Sequence, residues 1–170
     1  ELYDIAADPG QAHDIAAEHA DVVSRLRSAY ENWWTSLTPV FTEHVAIDLG
    51  NPAENPAQLT AHDWHAVAGQ ASQAVVFQDA VPKDPKSNGF WAVNVVEPGR
   101  YEFTLRSRPA HAATPLGAVR ARIEIGGHGA DWGASPEESS TSHTLALDAG
   151  PQRLQTFLTD AAGTSRGAYF

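Results

Sequence analysis

The sequence predicts a mainly β chain: an antiparallel β-sandwich of jelly-roll type, preceded by a short strand and one amphipathic helix. Three observations point there. Helical spacing of apolar residues is confined to one stretch before residue 38. From about residue 43 the apolar period is two, the period of a strand with one buried face. The alternating runs are separated by Gly-, Pro- and Asn-bearing breaks with no βαβ rhythm, which favours stacked antiparallel sheets.

The elements follow in order. Glu1-Leu2-Tyr3-Asp4-Ile5 alternates and reads as a strand, closed by the turn signal Asp8-Pro9-Gly10. A helix is expected from about Asp21 to Leu37. Val22, Val23, Leu26, Tyr30, Trp33, Trp34 and Leu37 share one face, and Asp21 suits the N-terminal end. Thr38-Pro39 ends it. Two adjacent tryptophans give this helix a large surface to bury, against its own domain or against a body outside this chain. Domains are therefore expected at 1–42 and 43–170.

In the second region Val45, Ile47 and Leu49 alternate until Gly50-Asn51-Pro52. Trp91, Val93 and Val95 alternate and are followed by Glu97-Pro98-Gly99, then by Tyr101, Phe103 and Leu105. That arrangement predicts a hairpin. Further strands are expected at Val119–Ile125, Thr144–Leu147, Leu154–Leu158 and Gly167–Phe170. The segment 126–142, rich in Gly, Ser and acidic residues, is expected to be a long loop. Gly167-Ala168-Tyr169-Phe170 reads as the start of a strand that continues. With no methionine at position 1 or elsewhere, the chain is expected to be a portion of a longer protein.

Composition narrows function. With 42% hydrophobic and 19% charged residues the chain is of globular type. A net charge of −10 argues against nucleic acid and anionic membranes as partners, because such binders need a basic surface to displace counterions. Lys83 and Lys86 are the only lysines and the arginines are scattered. Without cysteine there is no disulfide framework, thiolate metal site or thiol nucleophile. No apolar run approaches a membrane span.

The densest polar cluster is His62-Asp63-Trp64-His65. These residue types can line a substrate cleft, act as acid and base, or ligate a metal. The spacing is not that of a zinc motif, so no metal site is assigned. A tryptophan packed into the core, with Asp63 closing a turn, is the plain alternative. Trp64 and Trp132 are candidate platforms for stacking sugar rings, Trp132 from the predicted loop; Trp91, in mid-strand, is expected in the core. Ser107-Arg108-Pro109-Ala110-His111 nearly matches S-x-P-x-R, the formylglycine motif, but carries His111 where arginine is required. Asp79, Asp84, Asp131, Glu137 and Glu138 are weak calcium candidates. No G-x-S-x-G elbow or phosphate loop is present, and no catalytic residue is assigned.

The opening Glu1-Leu2-Tyr3-Asp4-Ile5-Ala6-Ala7-Asp8-Pro9-Gly10, with Asp14-Ile15-Ala16 and the helix bearing Leu26 and Trp33-Trp34, resembles the segment near the end of sulfatase catalytic folds. Leu59–Trp64, Asn88–Val93, Pro98–Phe103, Ala149–Pro151, Leu154–Phe157 and Gly167–Tyr169 are similar to the sandwich extension that closes certain bacterial arylsulfatases. Ser107 departs from the arginine-tryptophan-proline run common there. The resemblance implies a parent enzyme, periplasmic or secreted, that hydrolyses sulfated aryl or carbohydrate substrates. Such an enzyme uses a formylglycine nucleophile and calcium, both held upstream of this chain. The chain would then be an accessory portion whose partner is that catalytic domain, with His62, Asp63, Trp64 and His65 edging the substrate cleft. The alternative from another class is a carbohydrate-binding sandwich using exposed tryptophans.

Overall fold

A computed structural model describes residues 1–41, 43–65, 67 and 88–170, and divides the chain into two compact units, Glu1–His44 and Val45–Phe170.

In the first unit the expected opening strand is absent. Asp4 organises a turn instead: its carboxylate accepts the Ala6 and Ala7 amides, and its carbonyl accepts those of Ala7 and Asp8. With the donors satisfied locally, no sheet partner is needed. The chain returns so that Leu2 donates to Asp14 Oδ1 (2.9 Å) and Ile15 donates to the Leu2 carbonyl (2.9 Å). Asp8 closes the same loop by accepting the His13 amide at 2.8 Å. Both carboxyls are held below the usual range, Asp8 chiefly by the His13 amide and Asp14 chiefly by that of Leu2.

Helix α1, Ala20–Leu37, forms where the apolar period is helical. It starts one residue earlier than expected. His19, not Asp21, is its N-cap and offers no side-chain bond, while Asp21 sits in the first turn, where its charge complements the helix dipole. Thr38-Pro39 does not stop the chain abruptly, because Thr38–Val40 continues as a single 3₁₀ turn. No residue of α1 is buried.

Among the described residues the second unit contains eight strands: β1 (Ile47–Leu49), β2 (Phe90–Val95), β3 (Gly99–Arg106), β4 (Arg120–Ile125), β5 (His128–Gly133), β6 (Ser140–Leu147), β7 (Gly150–Thr159) and β8 (Ser165–Arg166). Six of them make one sheet, in the order β1-β2-β7-β4-β5 with β8 also on β7. The long β7 is the spine: β2 pairs with its first half, β8 with its end, and β4 with its other edge. β3 and β6 form a separate two-stranded sheet. All pairs are antiparallel except β1 with β2, which is parallel.

Two expectations are corrected here. The predicted hairpin of Trp91–Val95 with Tyr101–Leu105 does not form, because β2 and β3 belong to different sheets. Glu97-Pro98-Gly99 carries the chain from one sheet to the other, and Tyr101 fastens the crossing by donating its hydroxyl to the Glu97 carbonyl at 2.6 Å. Nor is 126–142 a loop. Gly126 and Gly127 take φ of +54° and +83°, the two positive values a tight hairpin turn requires, and β4 runs through them into β5. β6 begins within the same segment, at Ser140.

Alternation builds the core. Ala121, Ile123 and Ile125 of β4 and Leu154, Thr156 and Leu158 of β7 are buried on one face, whereas β2 is buried at five of its six positions. Leu147 of β6 joins Trp91, Val93, Ile123 and Leu154 in one cluster, with Tyr101, Phe103 and Leu145 packed against it. Side chains of both sheets therefore share one core. The tail 167–170 forms no ladder strand. It is tied by backbone bonds from Ala61 to the Tyr169 carbonyl and between Arg106 and Phe170.

Candidate ligand groove

The cluster that sequence pattern singled out is dispersed by the fold. Ala61–Asp63 makes one 3₁₀ turn, in which Asp63 accepts a bond from the Thr60 hydroxyl (3.0 Å). His62 and Asp63 are exposed, whereas Trp64 turns inward and is only 7% exposed. Its ring meets Trp91 and Tyr169 edge-on, at centroid distances of 5.5 and 5.8 Å. Gly89 and Gly167 flank it so closely that a Cβ on either would overlap it. Trp64 is thus a core residue and presents no face to a sugar. His65 pairs its backbone with Phe90 and lays its ring 5.2 Å from that of Phe90, which the Arg153 guanidinium covers at 3.7 Å. The four side chains converge on nothing in common.

Trp132, the second stacking candidate, lies on β5 rather than in a loop. Its indole donates to Thr141 Oγ1 at 2.7 Å and stacks on His143, centroids 4.8 Å apart. Both partners lie on β6, so the ring bridges the two sheets and His143 covers one of its faces. Trp91 is core, as expected, and donates to the Thr60 carbonyl.

The Ser107 segment is also structural. Ser107 is buried and accepts a bond from Arg166 Nη2 at 2.7 Å. The same buried guanidinium reaches the carbonyls of Leu116 (3.0 Å) and Gly167 (3.1 Å). Planar donors fixed among three acceptors tie β8 to the turn after β3. Among the described residues no group of three or more His, Asp or Glu could hold a metal ion. Asp79 and Asp84 lie outside the described residues. Asp131 is engaged in a two-point ion pair with Arg120, whose guanidinium holds its carboxyl below the usual range.

A concave site does exist elsewhere, in a place the sequence did not mark. A groove of about 440 Å³ runs between β3 and the segment 55–59. Trp91, Phe103, Leu105, Leu154 and Phe170 contribute apolar lining, and Glu102, Thr104, Arg106, His111 and Gln58 contribute polar groups. None of His62, Asp63, Trp64 and His65 lines it. Six consecutive residues of β3, Tyr101 to Arg106, border the groove. Alternate side chains of a strand point to opposite faces, so an unbroken run means that the backbone edge itself faces the space.

No protein-family model and no curated protein matches the chain. Among the described residues, no helix is long and apolar enough to cross a membrane.

Proposed function

We propose that this chain is the C-terminal accessory portion of a formylglycine-dependent sulfatase. On this reading Val45–Phe170 is a jelly-roll-like β-sandwich extension, and the nucleophile and calcium belong to a catalytic domain upstream. The reading rests on the resemblance of the opening segment and of the later blocks. The observation that carries it furthest is the aromatic face formed by α1 and by Phe41 just after it. Tyr30, Trp33, Trp34 and Phe41 are 46–55% exposed, although their rings already pack on one another at 5.0–6.2 Å. Half of four aromatic side chains is roughly 400 Å² of apolar surface, the size of patch that marks an interaction surface. A catalytic body covering it would gain on the order of several kcal/mol.

The chain's own part in such an enzyme is to close the catalytic body and edge the substrate cleft. The test is to purify the native protein with an antibody against this chain, measure its intact mass, and assay 4-nitrophenyl sulfate and a panel of sulfated sugars. The expected result is a mass well above 18.2 kDa together with sulfate release. Replacing Trp33 and Trp34 by Asp in that protein should lower its melting temperature and its activity together. A native protein of 18.2 kDa, or a larger one that releases no sulfate, overturns the proposal.

A further inference from the structure

The groove is bordered by an open strand edge whose hydrogen-bonding direction can be read from its neighbours. In an antiparallel pair, successive residues turn their N–H and C=O alternately toward and away from the partner. The Arg106 amide donates to the Phe170 carbonyl at 2.7 Å, and the Arg106 carbonyl accepts the Phe170 amide at 3.1 Å. Arg106 therefore faces away from β6, and so do Thr104 and Glu102. The close side-chain contact of Thr104 Oγ1 with Ser142 Oγ, 2.9 Å, agrees, because directly opposed residues lie nearest where the backbones do not bond. Among the described residues, the backbone groups of Glu102 and Thr104 bond to nothing, and they look into the groove.

We propose that the open edge of β3 is an acceptor for a third, antiparallel strand, supplied as an extended segment by a partner protein. Register and direction follow from the Arg106–Phe170 pair, which occupies the first position on this edge. An incoming segment runs from beside Phe170 toward Tyr101, exchanging two hydrogen bonds with Thr104 and two with Glu102. Side chains opposite Leu105, Phe103 and Tyr101 share the inward face of those residues, which pack against the core, and so enter the apolar groove. Those opposite Thr104 and Glu102 point outward, the latter beside an exposed carboxylate. The matching ligand is thus a five-residue extended segment, apolar at positions one, three and five, with a hydroxyl at two and a cation at four. A cationic partner also suits a chain of net charge −10. This inference is independent of the sulfatase reading.

The probe is acetyl-Val-Thr-Val-Lys-Val-amide at millimolar concentration, with the ¹⁵N-labelled chain observed by amide hydrogen exchange. Exchange at Glu102 and Thr104 should slow by about tenfold while the β6-facing amides of Phe103 and Leu105 stay unchanged. A control peptide N-methylated at its Thr and Lys, unable to donate to β3, should have no effect. Because a free pentapeptide binds weakly, the same five residues fused after Phe170 provide a second measurement at millimolar effective concentration, against a Gly-Ser tail of equal length. Slowed exchange with the fused strand and not with the Gly-Ser tail supports the site. Glu102 and Thr104 amides already protected in the chain alone assign the edge to the chain's own polypeptide and overturn the proposal. Unprotected amides with both the free and the fused peptide overturn it as well.

Discussion

The position of Trp64 makes a quantitative prediction, because two glycines define the slot it fills. A Cβ on Gly167 would lie 2.5 Å from Trp64 Cη2 and Cζ2, and 2.7 Å from Asn88 Oδ1. Ordinary carbon contacts are about 3.5–4.0 Å, so the ring must retreat by about 1 Å. It has nowhere to go, since it is 7% exposed and braced by Trp91 and Tyr169, and its Cβ sits against Gly89. Overpacking of this kind costs about 1–3 kcal/mol. The entropy gained by removing a glycine from the unfolded chain returns about 0.4–1 kcal/mol, so Gly167→Ala should lose about 1–2 kcal/mol net. Trp64→Phe deletes the overlapping ring carbons. It leaves a cavity costing about 2 kcal/mol, reduced because the buried indole N–H it removes has no hydrogen-bond partner among the described residues. The added methyl then partly fills that cavity. The double variant should therefore be more stable than the sum of the singles by about 1 kcal/mol. The residual loss comes from Asn88, which is pinned by its bonds to the Thr156 carbonyl and the Gly89 amide. Urea denaturation followed by near-ultraviolet circular dichroism reads the packed rings directly, and equal slopes across the four proteins validate the comparison. Additive effects, or a harmless Gly167→Ala in the parent, would refute the slot geometry.

Two further outcomes follow from polar groups. Arg166→Leu strands the Ser107 hydroxyl and the Leu116 carbonyl in the core, so the same denaturation experiment should show a loss of about 2–4 kcal/mol. Arg166→Lys, one point donor in place of a planar fork, should recover less than half of it. In the first unit, Asp8 and Asp14 have carboxyls lowered in the folded loop, so their contribution is present above the ordinary aspartate value of 3.8 and is lost as pH falls through the lower folded value. The Leu2 and Ala16 amide resonances should hold steady from neutral pH to about 4.5 and move with a midpoint below 3.8. A midpoint at or above that value would show that the loop bonds are not formed in solution.

Where period and propensity agree, the sequence was a good guide. α1 begins within a residue of the expected start, β6 and β7 contain the strands expected of their alternation, and β4 covers all of its expected strand but Val119. The expected hairpin fails because pairing partners are not written in local pattern. Trp91–Val95 and Tyr101–Leu105 have the form of hairpin arms, yet Val93 bonds across to Gln152 and Phe103 to His143. Nothing within either arm distinguishes a tight reversal from a step between sheets. The opening strand failed differently, because Asp4, Asp8 and Asp14 could satisfy the amides as side chains and leave no reason for a ladder. Gly126-Gly127 is a signal that composition obscured. Set in a stretch full of Ser and Glu it resembles loop, although two adjacent glycines between alternating residues are what a two-residue hairpin needs.

The sequence cluster and the groove lie apart for a related reason. Sequence reading weighs side chains, so His62, Asp63, Trp64 and His65 drew the eye as a dense cluster of reactive types. On a 3₁₀ turn leading into an extended backbone, four adjacent residues must point in different directions, and only Trp64 points inward. Along β3 the groove offers a backbone edge, whose donors and acceptors every residue possesses and no composition reveals. What makes Glu102 and Thr104 distinctive is that β6 covers one edge of β3 while, among the described residues, Tyr169 and Phe170 reach the other edge only at Arg106. That difference arises from topology, and a change of side chain at either position should leave it intact. Substituting Glu102 by Gln should accordingly weaken selection for a cation at the fourth peptide position and preserve strand addition itself.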